Sequence, residues 1–149
     1  MIAPGAAAPR AELLGERGEA VAVPRPGALA AIVFFRGDWC PWCNGQLAQL
    51  ARDEELAAAG LELVAVSVDS PARNRATRIR LRLPFPLLSD PDGAGAIVPY
   101  GTWDEDDRIS RPAAVVVDPE GVVRYAQLGA SYADRAGPAE LLAAAEGCR

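Results

Sequence analysis

Residues 27–50 have the sequence "GALAAIVFFRGDWCPWCNGQLAQL", and this stretch decides how the chain folds. The uninterrupted apolar run that ends at Phe35 has the length and composition of a strand buried on both faces. Pro41 then suits the first turn of a helix, and spaced leucines carry the apolar face of that helix to about residue 60. Cys40 and Cys43 therefore lie at a predicted strand-to-helix junction.

Strand and helix patterns alternate along the rest of the chain. The predicted elements are a strand over 61–69, a helix over 70–83, a short strand within 85–93, a hairpin of 113–117 with 122–128, and a capped helix over 137–147. In the helix over 70–83, we expect Ala72, Ala76, Ile79 and Leu83 to form the buried stripe. Strand–helix–strand units require parallel strands, and the hairpin adds antiparallel ones, so the pattern predicts an α/β protein with a mixed sheet.

The first 19 residues differ in composition from the rest. Residues 1–10 are rich in alanine, proline and glycine, and the stretch "AELLGERG" that follows favours a short helix. We therefore expect residues 1–19 to form a partly mobile N-terminal extension and residues 20–149 to form one domain.

Charge and residue usage exclude several functions. The net charge is −5, and all 15 basic residues are arginines, so no broad basic field is available for nucleic acid. No apolar stretch is long enough to cross a membrane. The chain contains no histidine, which excludes Ser–His and Cys–His nucleophile pairs and histidine metal sites. The start of the chain lacks the pattern of a signal peptide, so we expect a cytoplasmic protein.

The two cysteines of the junction are candidates for redox chemistry. A thiol at a helix N-terminus gains thiolate character from the unpaired amides and the helix dipole, and Cys43 follows Cys40 by one turn, close enough for a disulfide. Two alternatives remain. The pair can be two inert buried thiols, or half of a zinc site, although the only further cysteine is Cys148 near the C-terminus.

Three segments carry a family resemblance: "FFRGDWCPWC", "LPFPLLSDPDG" and "RPAAVVVDPEGVVRY". Together they resemble the peroxiredoxin-like branch of the thioredoxin superfamily, the alkyl hydroperoxide reductase/thiol-specific antioxidant type, over roughly residues 20–146. The resemblance implies a thioredoxin-like fold, a central mixed sheet with helices on both faces, and thiol-based redox chemistry on hydroperoxides or disulfides.

The peroxiredoxin motif is only partly matched. Laid over its Pro-X-X-X-Thr-X-X-Cys pattern, Cys43 takes the place of the peroxide-attacking cysteine, Cys40 that of the threonine and Arg36 that of the proline. Peroxiredoxins also have an arginine six residues before the aspartate that ends a later strand. In this chain that position is occupied by Pro112, and Arg111 is adjacent to it.

The thioredoxin motif is also matched in part. Trp39-Cys40-Pro41-Trp42-Cys43 stands in place of Trp-Cys-Gly-Pro-Cys. A proline at position 112 resembles the cis-proline that faces the thioredoxin dithiol, so this resemblance predicts a cis Arg111–Pro112 peptide beside Cys40. Trp39, Pro41, Trp42, Arg36, Arg111 and Pro112 are accordingly the predicted supporting residues.

Three functions follow as hypotheses. The first is a thiol–disulfide oxidoreductase in which Cys40 attacks and Cys43 resolves the mixed disulfide. The second is a thiol peroxidase in which one cysteine becomes a sulfenic acid and the other condenses with it. The third is a non-enzymatic redox sensor or binding module. The first two need protein disulfides or hydroperoxides as substrates and a thiol reductant, either thioredoxin-like or of low molecular weight.

We expect no metal, no other cofactor and no nucleic-acid or membrane partner. A homodimer is compatible with the resemblance, and the sequence leaves the oligomeric state open. Cys148 is expected to be dispensable.

Overall fold

A seven-stranded mixed sheet forms the centre of the protein in the computed structural model, which describes residues 1–149. The strands are β1 (Ala11–Leu14), β2 (Ala20–Val23), β3 (Ala30–Phe34), β4 (Glu62–Ser67), β5 (Leu87–Ser89), β6 (Trp103–Asp104), β7 (Ile109–Ser110), β8 (Ala113–Val117) and β9 (Val123–Leu128). The helices are α1 (Pro41–Arg52), α2 (Glu54–Ala58), α3 (Pro71–Leu81), α4 (Ile97–Tyr100) and α5 (Pro138–Glu146). None of them combines the length and hydrophobicity needed to span a membrane.

The strand order is β2-β1-β5-β4-β3-β8-β9, and β6 and β7 form a separate small hairpin. Strands β3, β4 and β5 are parallel, whereas β8 is antiparallel to β3 and pairs with β9. The carboxyl ends of β3 and β4 therefore lie at one edge of the sheet. The loop that leads to Cys40 and the loop that contains Asp69 meet at that edge.

Apolar side chains pack on both faces of the sheet. On one face, Leu47 of α1, Leu56 of α2 and Leu141 of α5 cover the sheet. On the other face, α4 and the N-terminal segment cover it, and the ring of Tyr100 lies 5.4 Å from that of Phe34. The predicted thioredoxin-like α/β fold, with a central mixed sheet and helices on both faces, is confirmed.

The short helix expected over residues 11–18 is wrong. Residues 11–14 form β1, which pairs with β2 and, through Leu14, with Ser89 of β5. Leu13 is buried while its neighbours Glu12 and Leu14 are exposed, which is the alternation of a strand with one covered face. The predicted domain boundary at residue 20 thus divides a hairpin of the main sheet.

Two helix predictions also need correction. The helix from Pro41 ends at Arg52, because Asp53 leaves the helical conformation and its Oδ1 accepts the Leu56 N–H to cap α2. The stripe predicted for α3 is confirmed only at Leu83, which is buried just beyond the end of the helix. Within the helix, Asn74 and Thr77 are the buried residues, and Ala72, Ala76 and Ile79 are exposed.

Candidate active site

The local sequence places the first thiol at the start of α1. Cys40 is the N-cap residue, with extended backbone angles (φ −89°, ψ 113°), and Pro41 is the first helical residue. The Cys40 Sγ accepts a hydrogen bond from the Cys43 N–H at 3.3 Å, as an N-cap side chain does. Both thiols are reduced in the structure.

The loop before Cys40 is held by polar contacts from α1 and from the loop that follows β4. The Asp38 N–H donates to Oδ2 of Asp69 at 2.9 Å, and Asn44 Nδ2 donates to the Asp38 carbonyl at 3.0 Å. A Cβ at Gly37 would lie 2.4 Å from Nε1 of Trp39, so a larger residue there would push the indole away. These contacts fix the loop between the end of β3 and the dithiol.

Two donors converge on the Cys43 sulfur. The Arg36 N–H lies 3.3 Å from this Sγ, and Nη2 of Arg135 lies 3.0 Å from it. The same Nη2 lies 3.6 Å from the Cys40 Sγ, so one guanidinium spans both sulfurs. Cys40 is 1% exposed and Cys43 is fully buried. Both thiols are therefore almost entirely shielded from solvent, and the Arg135 guanidinium contacts each sulfur.

The two thiols differ in acidity. Burial raises the pKa of Cys40, but the hydrogen bonds from the Cys43 thiol and backbone N–H, together with the Arg135 charge, outweigh it and lower that pKa below its ordinary value. Burial and the hydrogen bond with Cys40 raise the pKa of Cys43, despite the Arg135 charge. The thiolate of the pair is thus favoured on Cys40, the sulfur at the helix N-terminus.

Exposed aromatic side chains surround the buried sulfurs. Trp39, Trp42 and Tyr132 are 53%, 52% and 55% exposed. The Arg36 guanidinium lies over two of these rings, 4.9 Å from the Trp39 centroid and 5.5 Å from that of Tyr132. Its Nη2 also lies 3.8 Å from the Asp107 carboxylate. Arg36 therefore acts on Cys43 through its backbone N–H, and its side chain contacts the exposed aromatic rings and also helps to lower the pKa of Cys40.

Arg111 and Pro112 form no hydrogen bond with either sulfur. They line a cleft of about 220 Å³ beside Arg36 and Tyr132. The Arg111–Pro112 peptide is trans, so the expected cis bond is wrong; the one cis bond joins Val23 and Pro24. Backbone hydrogen bonds on both sides hold residues 111 and 112 in place. The Arg111 N–H donates to the Thr102 carbonyl at 2.7 Å, and the Pro112 carbonyl accepts from the Gly129 N–H at 2.8 Å.

The third cysteine lies far from the dithiol. Cys148 Sγ donates to the Ala144 carbonyl at 3.3 Å, and the thiol lies near Asp118, which follows the end of β8 that pairs with Ala30. The dithiol follows the opposite end of β3, about 13 Å away along the strand. No group of three or more Cys, Asp or Glu side chains gathers into a possible metal site.

Arg135 is the site residue that the sequence reasoning missed. It lies in the segment 129–137 that joins β9 to α5, 92 residues after Cys43, and no spacing connects the two. One signal pointed toward such a residue: because the chain has neither lysine nor histidine, any side-chain cation beside the dithiol must be an arginine.

Comparison with known sequences gives a consistent group of relatives. The sequence profile of the AhpC/TSA family matches residues 4–126. Peroxiredoxin Q, a chloroplast protein of Oryza sativa subsp. japonica, is 30% identical over 128 residues, which cover 83% of this chain and 58% of the rice protein. Alkyl hydroperoxide reductase E of Mycobacterium tuberculosis is 34% identical over 101 residues, 65% of each chain. The chain thus spans less than two thirds of the length of these relatives.

Solved structures share the fold over nearly the whole chain. Peroxidoxin BcpB from Mycobacterium tuberculosis superposes with a TM-score of 0.87 at 18% identity, covering 100% of this chain and 99% of that one. A peroxiredoxin-like protein from Aquifex aeolicus superposes with a TM-score of 0.82 at 18% identity, covering 99% and 88%. The profile match ends at residue 126, before Arg135, whereas the structural match includes it.

Proposed function

The chain belongs to the AhpC/TSA family, and from this premise we propose that it is a thiol peroxidase that reduces hydroperoxides with the Cys40–Cys43 dithiol. The observation that carries the proposal is the burial of both sulfurs beneath Arg135. A protein disulfide must align its S–S bond with an attacking sulfur, which needs open space above that sulfur. A hydroperoxide presents only two linked oxygens and fits a narrower approach.

In the proposed first step, the Cys40 thiolate attacks the terminal oxygen of the peroxide. The O–O bond breaks, the leaving oxygen takes a proton and departs as an alcohol or water, and Cys40 becomes a sulfenic acid. The lowered pKa of Cys40 increases the fraction of this thiol that is ionised at a given pH, and the thiolate is the nucleophile. Cys40 is therefore the proposed nucleophile.

Arg135 provides fixed positive charge where negative charge moves during this step. Its Nη2 contacts both sulfurs, so it stabilises the thiolate of the resting pair. Groups held in place before the reaction stabilise developing charge without having to reorganise, and the buried setting strengthens the effect. In this proposal Arg135 provides the positive charge that an arginine at the position of Pro112 provides in the family.

Cys43 completes the cycle as the resolving residue. Its thiol attacks the sulfur of the Cys40 sulfenic acid, which forms the disulfide and releases water. The i, i+3 spacing at the start of α1 lets the two sulfurs meet without unwinding the helix. An external thiol reductant then returns two electrons and restores the dithiol.

A thiol–disulfide oxidoreductase is the second candidate. The acidic N-cap thiol and the exposed Trp39 and Trp42 favour it. One contact opposes it: the Pro112 carbonyl, which a disulfide-bearing peptide would need as a strand partner, already accepts the Gly129 N–H at 2.8 Å.

The discriminating experiment measures both activities side by side. Hydrogen peroxide and cumene hydroperoxide consumption, with dithiothreitol as reductant, is compared with insulin-disulfide reduction by the same enzyme. We expect peroxide turnover to dominate; faster insulin reduction would favour the second candidate. Dimedone trapping then tests the nucleophile, with an adduct expected on Cys40 of the Cys43→Ser variant. An adduct only on Cys43 of the Cys40→Ser variant would reverse the two roles.

A further inference from the structure

A buried glutamine faces the dithiol segment from α1. Gln46 follows Cys43 by three residues, on the same side of the helix, and is 6% exposed. Both ends of its amide are used: Nε2 donates to the Ala136 carbonyl at 3.0 Å, and Oε1 accepts from Nη1 of Arg135 at 2.9 Å. Gln46 thus binds two groups of the 129–137 segment and touches neither sulfur.

The guanidinium of Arg135 is held at each of its three nitrogens. Its Nε donates to the Tyr132 carbonyl at 2.7 Å within the same segment, Nη2 contacts the sulfurs, and Nη1 contacts Gln46. Because the Tyr132 contact moves with the segment, Gln46 provides the only neutral attachment of the guanidinium to the rigid body of the protein. The attachment is independent of the charge on the sulfurs.

We propose that Gln46 is a positioning residue that fixes Arg135 over the dithiol and thereby sets how much of the dithiol is thiolate at neutral pH. Without the amide, Nη1 of Arg135 and the Ala136 carbonyl lose their buried partners, and both are better satisfied in water. The guanidinium then leaves the sulfurs, and the cation that stabilises the thiolate is lost. The role of the dithiol in turnover rests on the proposed function, but thiolate formation can be measured without a substrate.

The test compares Gln46→Met with Gln49→Met. Methionine is a near-isosteric, apolar replacement, and Gln49 is an exposed glutamine one turn further along the same helix. Thiolate formation is followed by absorbance at 240 nm against pH, and by the rate of iodoacetamide alkylation at pH 7. We expect Gln46→Met to shift the titration to higher pH and to slow alkylation about tenfold. Gln49→Met should behave as the wild type does.

A double-mutant cycle with Arg135→Met separates positioning from a merely structural role. If Gln46 acts through Arg135, adding Gln46→Met to Arg135→Met changes the titration no further. Additive effects, or a Gln46→Met protein that titrates like the wild type, would overturn the proposal.

Two further checks keep the result interpretable. If Gln46→Met does not fold, Gln46→Glu replaces it. The carboxylate of this variant keeps an acceptor for Nη1 but offsets the guanidinium charge, so the thiol titration should again move to higher pH. An unchanged titration would count against the proposal. A wild-type protein that fails to consume peroxide would refute the proposed function while leaving this titration valid.

Discussion

The segment 36–43 and the segment 129–137 meet at the same two sulfurs, but they are built in different ways. The first is fixed by its own sequence and its immediate neighbours: a buried strand before it, Pro41 at the helix start and the N-cap bond of Cys40. The second has no regular structure, and five of its nine residues are exposed. Arg135 of this segment contacts the sulfurs, and Gln46 of α1 accepts a hydrogen bond from the Arg135 guanidinium. One segment therefore carries the nucleophile, and the other supplies the charge that acidifies it.

The strongest perturbation removes the sulfurs of the first segment. Cys40→Ser should lower peroxide turnover by more than about a thousandfold, because a serine hydroxyl without a base is a poor nucleophile at neutral pH. Cys43→Ser should allow one sulfenic acid per chain to form but stop disulfide formation. Turnover assays and mass spectrometry of the oxidised proteins measure both effects. Wild-type turnover by either variant would contradict the assigned dithiol.

Removing the charge of the second segment should have the next largest effect. Arg135→Met should slow peroxide reduction about a hundredfold or more, the size expected on losing a fixed electrostatic group. Without the cation the thiol pKa rises, so the rate profile should move to higher pH. The matched control is Arg80→Met, an exposed arginine on α3. An Arg135→Met protein with the wild-type pH profile would mean that the 129–137 segment only covers the site.

Oxidation should loosen the second segment and leave the first in place. A disulfide carries no negative charge, so Arg135 loses its ionic partner when the dithiol is oxidised, and the exposed segment keeps few other anchors. We expect tryptic cleavage after Arg135 to become about tenfold faster in the oxidised protein. Cleavage after Arg108, in the exposed β6–β7 turn, provides the internal reference. Equal rates at Arg135 in both redox states would show that the thiolate does not hold the segment.

A smaller effect is expected from the carboxylate that holds the first segment. Burial and the nearby Asp38 charge raise the pKa of Asp69. Between the unfolded and folded pKa values of Asp69, the native state binds more protons than the unfolded state does. The contribution of Asp69 to stability therefore falls as pH rises through that window. Asp69→Asn keeps an acceptor for the Asp38 N–H and removes the buried charge. It should stabilise the protein at pH 7, on the order of 1 kcal/mol.

Urea unfolding at pH 7 and at pH 3 checks this sign. At pH 3 the wild-type carboxyl is protonated in both states, so the gain from Asp69→Asn should vanish. Asp106→Asn, at an exposed position of the β6–β7 turn, is the control. Destabilisation by Asp69→Asn at pH 7 would mean that the ionised carboxylate itself is needed to hold the loop.

The smallest effect is expected at a site that neither segment contacts. Cys148→Ser should leave peroxide turnover unchanged, because this thiol lies near the opposite end of β3 and donates only to the Ala144 carbonyl of α5. A loss of turnover, or the loss of a disulfide-linked dimer on a non-reducing gel, would give Cys148 a role as a resolving cysteine.

Features that depend on near neighbours in the chain could be predicted from the amino-acid sequence. The apolar run before Phe35, the proline at the helix start and the cysteine spacing predicted β3, the start of α1 and the dithiol at their junction. The period-two alternation of residues 11–14 is short, and together with the polar turn that follows it favours a helix over a strand in the sequence. In α3, the apolar spacing predicts a stripe through Ala72, Ala76 and Ile79, whereas the helix buries Asn74 and Thr77 instead.

The burial of the dithiol and the charge beside it depend on tertiary contacts. The trans peptide before Pro112 depends on pairing with Thr102 and Gly129, and the approach of Arg135 to the sulfurs depends on how β9 and α5 are placed by the sheet. Contacts between residues some 90 positions apart leave no period or spacing in the sequence. Local backbone preferences act over a few residues, whereas the acidity of a buried thiol is set by whichever charges the fold brings beside it.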